Sequence, residues 1–173
     1  KFLIERYQFW KENTFKDYKD IYQQASKTPQ KPIAMIITCC DSRILENTIF
    51  GGSVGDYFIH RNIANIVPSK NDKGQNIQTL SAIEYALKVI KIQNLIILGH
   101  SNCGGVEYSY KSLLDKKNIN DFEYINQWVS CLQKSYNNIP NDFSETEKIT
   151  YLEQENIKQS IKNLREYDFI DKL

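Results

Sequence analysis

The sequence predicts an α/β fold, a mainly parallel β-sheet flanked by helices, and three observations carry that reading. Residues 33–38, "IAMIIT", and the "LIIL" of 94–100, "NLIILGH", are apolar runs of strand length with no polar alternation. Such runs suit strands buried on both faces of a parallel sheet. The strand candidates alternate with segments of helical spacing, as right-handed crossover connections require. Two polar clusters, "CCDSR" and "GHSNCGG", each follow an apolar strand, at the carboxyl edge where open α/β sheets gather their ligands.

Taken in order, Phe2, Tyr7, Trp10, Phe15, Tyr18 and Tyr22 predict two amphipathic N-terminal helices, with Asn13-Thr14 as break and cap. "TPQKP" ends that helical stretch, and 33–38 is the first strand. "DYFIHR", 56–61, is the second, entered through the turn-rich "FGGSVG". Over 77–91, Leu80, Ile83, Leu87 and Ile90 recur at helical spacing. "NLIILGH" is the third strand. The remainder reads as helices over roughly 105–116, 121–136 and 144–167, the last with Leu152, Ile157, Ile161 and Leu164 as its inner face. Cys131 shares a helical face with Ile125, Trp128 and Leu132 and is expected in the core.

With 173 residues and no linker, repeat or low-complexity tract, one domain spanning 1–173 is expected. It divides into a helical N-terminal arm (1–28), a core carrying the polar clusters (32–106) and a helical C-terminal part (107–173). The 22 basic and 21 acidic residues nearly cancel, so no field invites nucleic acid. No apolar run approaches the ~20 residues of a membrane span, and a cytoplasmic location is the default expectation, although the chain begins at Lys1 and targeting residues can have been trimmed. Four cysteines in a chain of this size point to metal binding or catalysis before disulfides.

The carboxyl edge offers Cys39, Cys40, Asp41, Arg43, His100 and Cys103. His100 and Cys103, three apart, can bind one ion from a single turn, and a thiolate from the other strand completes a Cys₂His set suited to tetrahedral zinc. Successive side chains of an extended segment point to opposite faces. If Cys39 faces the crevice, Asp41 returns to that face and Cys40 turns away to pack as a small buried residue. The same alternation allows Cys40 with Ser42, but the acid then faces away from the metal. Three protein ligands leave one position free, as in catalytic zinc sites, and zinc lowers the pKa of bound water to about 7. Asp41 can bond that water or occupy the fourth position itself, and Arg43 is placed to hold the carboxylate in an ion pair. A closed, inert Cys₂His-Asp site is the structural alternative.

"CCDSR" followed by "GHSNCGGV" resembles the β-class carbonic anhydrases, whose hallmarks are Cys-x-Asp-x-Arg and His-x-x-Cys, and "GDYFIHRNIANIV" is similar to the strand and Arg-Asn segment between them. The resemblance is clear from Pro32 to Val106. It implies zinc, one ion per chain, on Cys39, His100 and Cys103, an Asp41–Arg43 catalytic dyad, and a substrate anion held by the backbone amide of Gly104. It implies reversible hydration of CO₂ to bicarbonate and a proton, in a homodimer or higher homo-oligomer whose N-terminal helices pack on a partner subunit. Three departures stand out: Ser53 where many members carry Gln or Glu, Ile36 where some bacterial members carry Trp, and an end at "FIDKL" without the family's last edge strand. Ile36 implies that the noncatalytic bicarbonate-inhibition site of those members is absent. Alternative functions are a zinc hydrolase of a CO₂ analogue (CS₂ or COS) on the same scaffold and a non-catalytic metal-binding homologue. His60 is read as structural rather than as a proton shuttle, and Arg61 and Asn62 as architectural.

Overall fold

A computed structural model of the chain describes residues 1–72, 77–115 and 122–170. Its elements in order are α1 (Phe2–Glu12), α2 (Thr14–Ala25), β1 (Ala34–Cys39), α3 (Glu46–Phe50), β2 (Tyr57–Asn62), α4 (Ile77–Glu84), β3 (Leu95–Leu98), α5 (Gly104–Leu114), α6 (Glu123–Val129), α7 (Gln133–Tyr136) and α8 (Glu145–Leu164). Among the described residues the sheet has three strands in the order β2-β1-β3, both pairings parallel. The central strand β1 is buried along its whole length, as its unbroken apolar run requires. Its flanking strands are only partly covered.

The helix expected over 77–91 is α4 continued by a π-helical turn, Tyr85–Ile90, which closes on Lys91 in the left-handed region. Ile83, Ala86 and Leu87 from this stretch join Met35, Ile37, Val67, Ile92 and Leu164 in one core. The expected 121–136 helix is α6 and α7 joined by a 3₁₀ turn, Ser130–Leu132; residues 116 and 121, expected at helix ends, lie outside the described residues. Cys131 is only half-buried beside fully buried Leu132, and packs against a second core that contains Cys39, Cys103, Val106, Tyr110 and Leu152. The short helix α3 was not expected from the sequence. It ends on Gly51 at φ 67°, a conformation glycine adopts without Cβ strain.

The two expected N-terminal helices, α1 and α2, contain no buried residue; their rings pack on one another, Tyr7 on Trp10 and Trp10 on Phe15 and Tyr22. One expectation needs correction. In α8, Leu152 and Leu164 are buried as expected, but Ile157 is half-buried and Ile161 is exposed. The inner face is instead polar: Glu155, Asn156, Gln159, Ser160 and Asn163 are all buried.

That polar face has a cause. Residues 64–68 are buried without belonging to a strand or long helix, and their backbone groups need partners. Asn156 Nδ2 donates to the Ala64 carbonyl at 2.7 Å, and Asn163 Nδ2 to that of Val67 at 2.7 Å. The Val67 N–H donates to Ser160 Oγ at 3.0 Å, and Tyr167 Oη to the Pro68 carbonyl at 2.9 Å. The helix itself starts from a capping box, with Ser144 and Glu147 bonding each other's backbone N–H groups.

Replacing Asn163 by Leu would keep the volume and add apolar surface, but it would orphan a buried carbonyl, a cost of about 1–3 kcal/mol. Urea unfolding should show a loss in that range for Asn163→Leu and little change for Ile161→Ala. The polar-face assignment fails if Ile161→Ala is the more damaging of the two.

Candidate metal centre

The site forms where β1 and β3 end. Parallel pairing sets Thr38 beside Leu98, and the Thr38 hydroxyl donates to the Leu98 carbonyl at 3.0 Å. One residue beyond Thr38 is Cys39; two beyond Leu98 is His100. The turn 100–103 carries Asn102 in the left-handed region at φ 52°, which swings the chain so that Cys103 becomes the N-cap of α5. Gly99 permits the approach of α8, since a Cβ there would sit 2.6 Å from Ile157 Cδ1. Gly105 does the same for the 63–65 turn, with Ile63 Cγ2 at 2.5 Å from an added Cβ.

Cys39, His100 and Cys103 converge, and their ligand atoms all lie within 4.8 Å of one another. The two sulfurs are 3.8 Å apart in the buried core. His100 Nδ1 lies 2.9 Å from the Ser101 carbonyl. A carbonyl only accepts, so Nδ1 carries the proton and Nε2 presents a lone pair. That Nε2 is buried and has no hydrogen-bond partner. A buried bare nitrogen beside two sulfurs is a costly arrangement unless a cation completes it. Tetrahedral zinc, with Zn–S of about 2.3 Å, would hold two sulfurs about 3.8 Å apart, so the donor set fits that ion.

The sulfurs also influence each other. The hydrogen bond between them holds Cys39 well below its ordinary value and pushes Cys103 up. Burial opposes ionisation of both. The backbone N–H groups of Asp41 and Ala64 favour the Cys39 thiolate, and those of Val106 and Gly105, at the first turn of α5, favour the Cys103 thiolate.

Asp41 stands at the rim, with Oδ2 3.9 Å from His100 Nε2, beyond hydrogen-bond range. Arg43 holds it bidentately: Nε donates to Oδ1 at 2.9 Å and Nη2 to Oδ2 at 2.7 Å, and the Arg43 backbone N–H adds a third bond to Oδ1 at 2.9 Å. Arg43 Nη2 also donates to the Asn102 carbonyl at 2.9 Å. One guanidinium therefore ties the "CCDSR" cluster to the "GHSNCGG" turn. Gly104 is exposed at the start of α5, and a Cβ there would meet nothing within 4 Å.

Cys39 and Asp41 thus share a side, as the alternation argument expects. The expectation that Cys40 is buried is overturned: it is exposed. The ladder ends at Cys39↔Asn62, and past that point no neighbouring strand or helix of the described chain covers the outer face. His60 Nε2 bonds Thr79 Oγ1 at 3.1 Å, and burial lowers its pKa. Arg61 donates to the Ile44 carbonyl and to buried Glu46, both at 2.6 Å, an architectural role. Ile36 is fully buried. Sequence reasoning missed the Asn102 carbonyl, the Ala64 N–H and Glu153, whose Oε1 accepts from the Cys103 N–H at 2.8 Å. Backbone groups leave no mark in a sequence, and Glu153 sits in a helix full of ordinary charges.

The family model described as carbonic anhydrase matches residues 34–173. The chain belongs to the carbonic anhydrase family. Among curated relatives, the carbonic anhydrase of Helicobacter pylori strain J99 is 33% identical over 167 residues, which make up 93% of this chain and 74% of that protein. β-Carbonic anhydrase 3 of Arabidopsis thaliana is 30% identical over 164 residues, 93% of this chain and 62% of the relative. The solved β-carbonic anhydrase CcaA superposes with a TM-score of 0.86 at 29% identity, over 98% of this chain and 75% of that one. A tetrameric β-carbonic anhydrase of Sordaria macrospora gives 0.81 at 28% identity, over 99% and 83% of the two chains. The fold and class expected from the two motifs are borne out, and the family match runs well beyond Val106 into the C-terminal helices. As a carbonic anhydrase, the chain is an enzyme of the lyase type.

The Arg43 bonds, side chain first and backbone second, hold the Asp41 carboxyl well below the usual carboxylate range. Because the folded value lies under the unfolded one of about 3.9, the pair's contribution is complete above about pH 4 and fades only as pH falls through the depressed value. Carboxyl ¹³C NMR should show Asp41 ionised throughout a titration from pH 7 to pH 4. A midpoint near 4 would mean that the bidentate pair is not formed in solution.

Proposed function

We propose that the protein catalyses the reversible hydration of carbon dioxide to bicarbonate and a proton, with one zinc ion per chain held by Cys39, His100 and Cys103. The observation that carries this reading is the unpartnered, buried His100 Nε2 beside two sulfurs 3.8 Å apart. Zinc, when bound, supplies Lewis acidity that brings the ionisation of water to about pH 7.

The chain's own residues do the rest. Asp41, locked as a carboxylate by Arg43, is too weak a base to keep a proton near neutral pH. Its role is to accept a hydrogen bond from the attacking water and orient it toward the carbon of CO₂. Arg43 grips both oxygens of that carboxylate and is itself anchored by the Asn102 carbonyl, which fixes the carboxylate at the rim. Gly104 lies in the first turn of α5, where helical N–H groups lack intrahelical partners. Its backbone N–H is suited to the bicarbonate anion, and the open space at its α-carbon leaves room for close approach. The proton leaves to solvent; His60, committed to Thr79, takes no part.

We further propose assembly into a homodimer or a multiple of it. Phe2, Leu3, Ile4, Tyr7 and Phe9 are all exposed on α1, an apolar surface larger than a monomer usually shows water. A second copy of the chain is the covering for that face, and the similar β-carbonic anhydrases of Sordaria macrospora are tetrameric.

Stopped-flow CO₂ hydration, with zinc measured on the same sample, tests the activity. Arg43→Ala should keep its zinc while hydration falls by about 100-fold or more, the scale of a misplaced reacting group. Cys103→Ser should lose metal and activity together, and Cys40→Ser neither. Stoichiometric zinc without CO₂ hydration in the unaltered protein would overturn the proposal. For assembly, sedimentation velocity at micromolar concentration should give a species of at least twice the chain mass, and a compact monomer would rule the dimer out.

A further inference from the structure

The three segments that build the metal centre share one support, and it lies on α8. Glu153 and Asn156 are three residues apart, so they lie on one face of the helix. Glu153 Oε1 accepts the Cys103 N–H at 2.8 Å. Asn156 Nδ2 donates to the Ala64 carbonyl at 2.7 Å. Next to them, Ile157, four residues after Glu153, packs against Gly99, which precedes His100.

Ala64 is the more revealing partner. It adopts φ 64° and Asn65 φ 45°, left-handed conformations that cost a non-glycine residue about 1–2 kcal/mol each. Such a turn persists only where its surroundings overdetermine it. Here Trp128 Nε1 donates to the Ile63 carbonyl at 2.8 Å, and Asn156 to that of Ala64. The strained turn packs in the same buried cluster as Cys39 and Cys103. Without Asn156, the peptide can relax toward ordinary backbone angles and loosen the packing that seats Cys39. At the other sulfur, the Glu153 bond fixes the Cys103 peptide, and with it the direction in which the Cys103 side chain leaves the N-terminus of α5.

We propose that Glu153 and Asn156 are positioning residues for the metal ligands: Glu153 holds Cys103 through its backbone N–H, and Asn156 holds Cys39 through the Ala64 peptide. Neither side chain offers an atom to the three-ligand cluster, and neither has a role in the reading above. The inference rests on the zinc-binding reading. It deepens that reading by making the last long helix part of the metal centre's outer shell. Groups that orient first ligands typically change metal affinity 10–100-fold when removed.

The test is the rate at which the zinc-loaded protein gives up its metal to a chromogenic chelator, together with the absorption spectrum of the cobalt-substituted protein. Glu153→Ala should release zinc about 10–100-fold faster and shift the cobalt–thiolate bands. Glu153→Gln, which keeps an acceptor oxygen, should restore both toward the unaltered protein. Asn156→Ala should also hasten release; should that variant fold poorly, the Glu153 pair decides alone, because Glu153 is only half-buried. Leu164→Ala, at the far end of α8 and buried in the other core, serves as the control. It should lower stability without altering zinc release. If Glu153→Ala releases zinc at the unaltered rate, or Leu164→Ala hastens release as much, the positioning role is wrong while the zinc reading stands. If the unaltered protein binds no zinc, the zinc reading fails and this inference with it.

Discussion

Everything in this molecule turns on a stretch of backbone that cannot satisfy itself. Residues 64–68 run through the interior with no ladder, and only the end of one 3₁₀ turn, to receive their N–H and C=O groups. Each such group, left alone in the interior, costs about 1–3 kcal/mol. The chain meets the demand with side chains. Asn62 closes its own turn, bonding both the N–H and the carbonyl of Ile66, Trp128 reaches in from α6, and α8 supplies Asn156, Ser160 and Asn163. A helix that would ordinarily bury leucines therefore buries amides and a hydroxyl. In exchange, a left-handed alanine is held against a sulfur, and the gap between two strand ends acquires a fixed floor.

On that floor, electrostatics decides the arrangement. Two thiol groups 3.8 Å apart in the interior cannot both ionise without a cation between them, so their mutual hydrogen bond favours ionisation of Cys39 and opposes that of Cys103. The histidine completes the demand for positive charge by presenting a lone pair rather than a proton. At the rim the balance is reversed. Asp41 is already neutralised by Arg43, and the same guanidinium reaches across to the Asn102 carbonyl. The inner donors thus suit a cation, whereas the outer carboxylate is already paired with one.

Much of this was legible in the sequence. The unbroken "AMII" could only be a strand covered on both sides. Cys39, His100 and Cys103 followed from donor chemistry and strand alternation, and Arg43 from its spacing to Asp41. What escaped notice did so for physical reasons. The inner face of α8 was assigned to Ile157 and Ile161 as well as to Leu152 and Leu164, because polar residues on a helix usually face water; only the leucines are buried. Yet Asn156, Gln159, Ser160 and Asn163 recur at the i, i+3, i+4, i+7 spacing that marks a buried stripe, and uncharged side chains on such a stripe were the available signal. Cys40 was expected inside because cysteine usually is, whereas the ladder stops one residue too early to cover it. The π-helical turn after Glu84 leaves no compositional trace at all.

The distance along the chain between the metal-binding residues and their support has a consequence for biosynthesis. Translation delivers Cys39, His100 and Cys103 well before α8. The amides that secure Ala64 and Val67 lie 92 and 96 positions downstream of them. A nascent polypeptide therefore carries a full set of soft ligands for a long interval with nothing to hold their geometry. Contacts of such long separation are also among the slowest to form. The bonds that fix the Ala64 and Val67 peptides are thus among the last to close as the fold forms, and the buried turn they secure stays loose until α8 has docked.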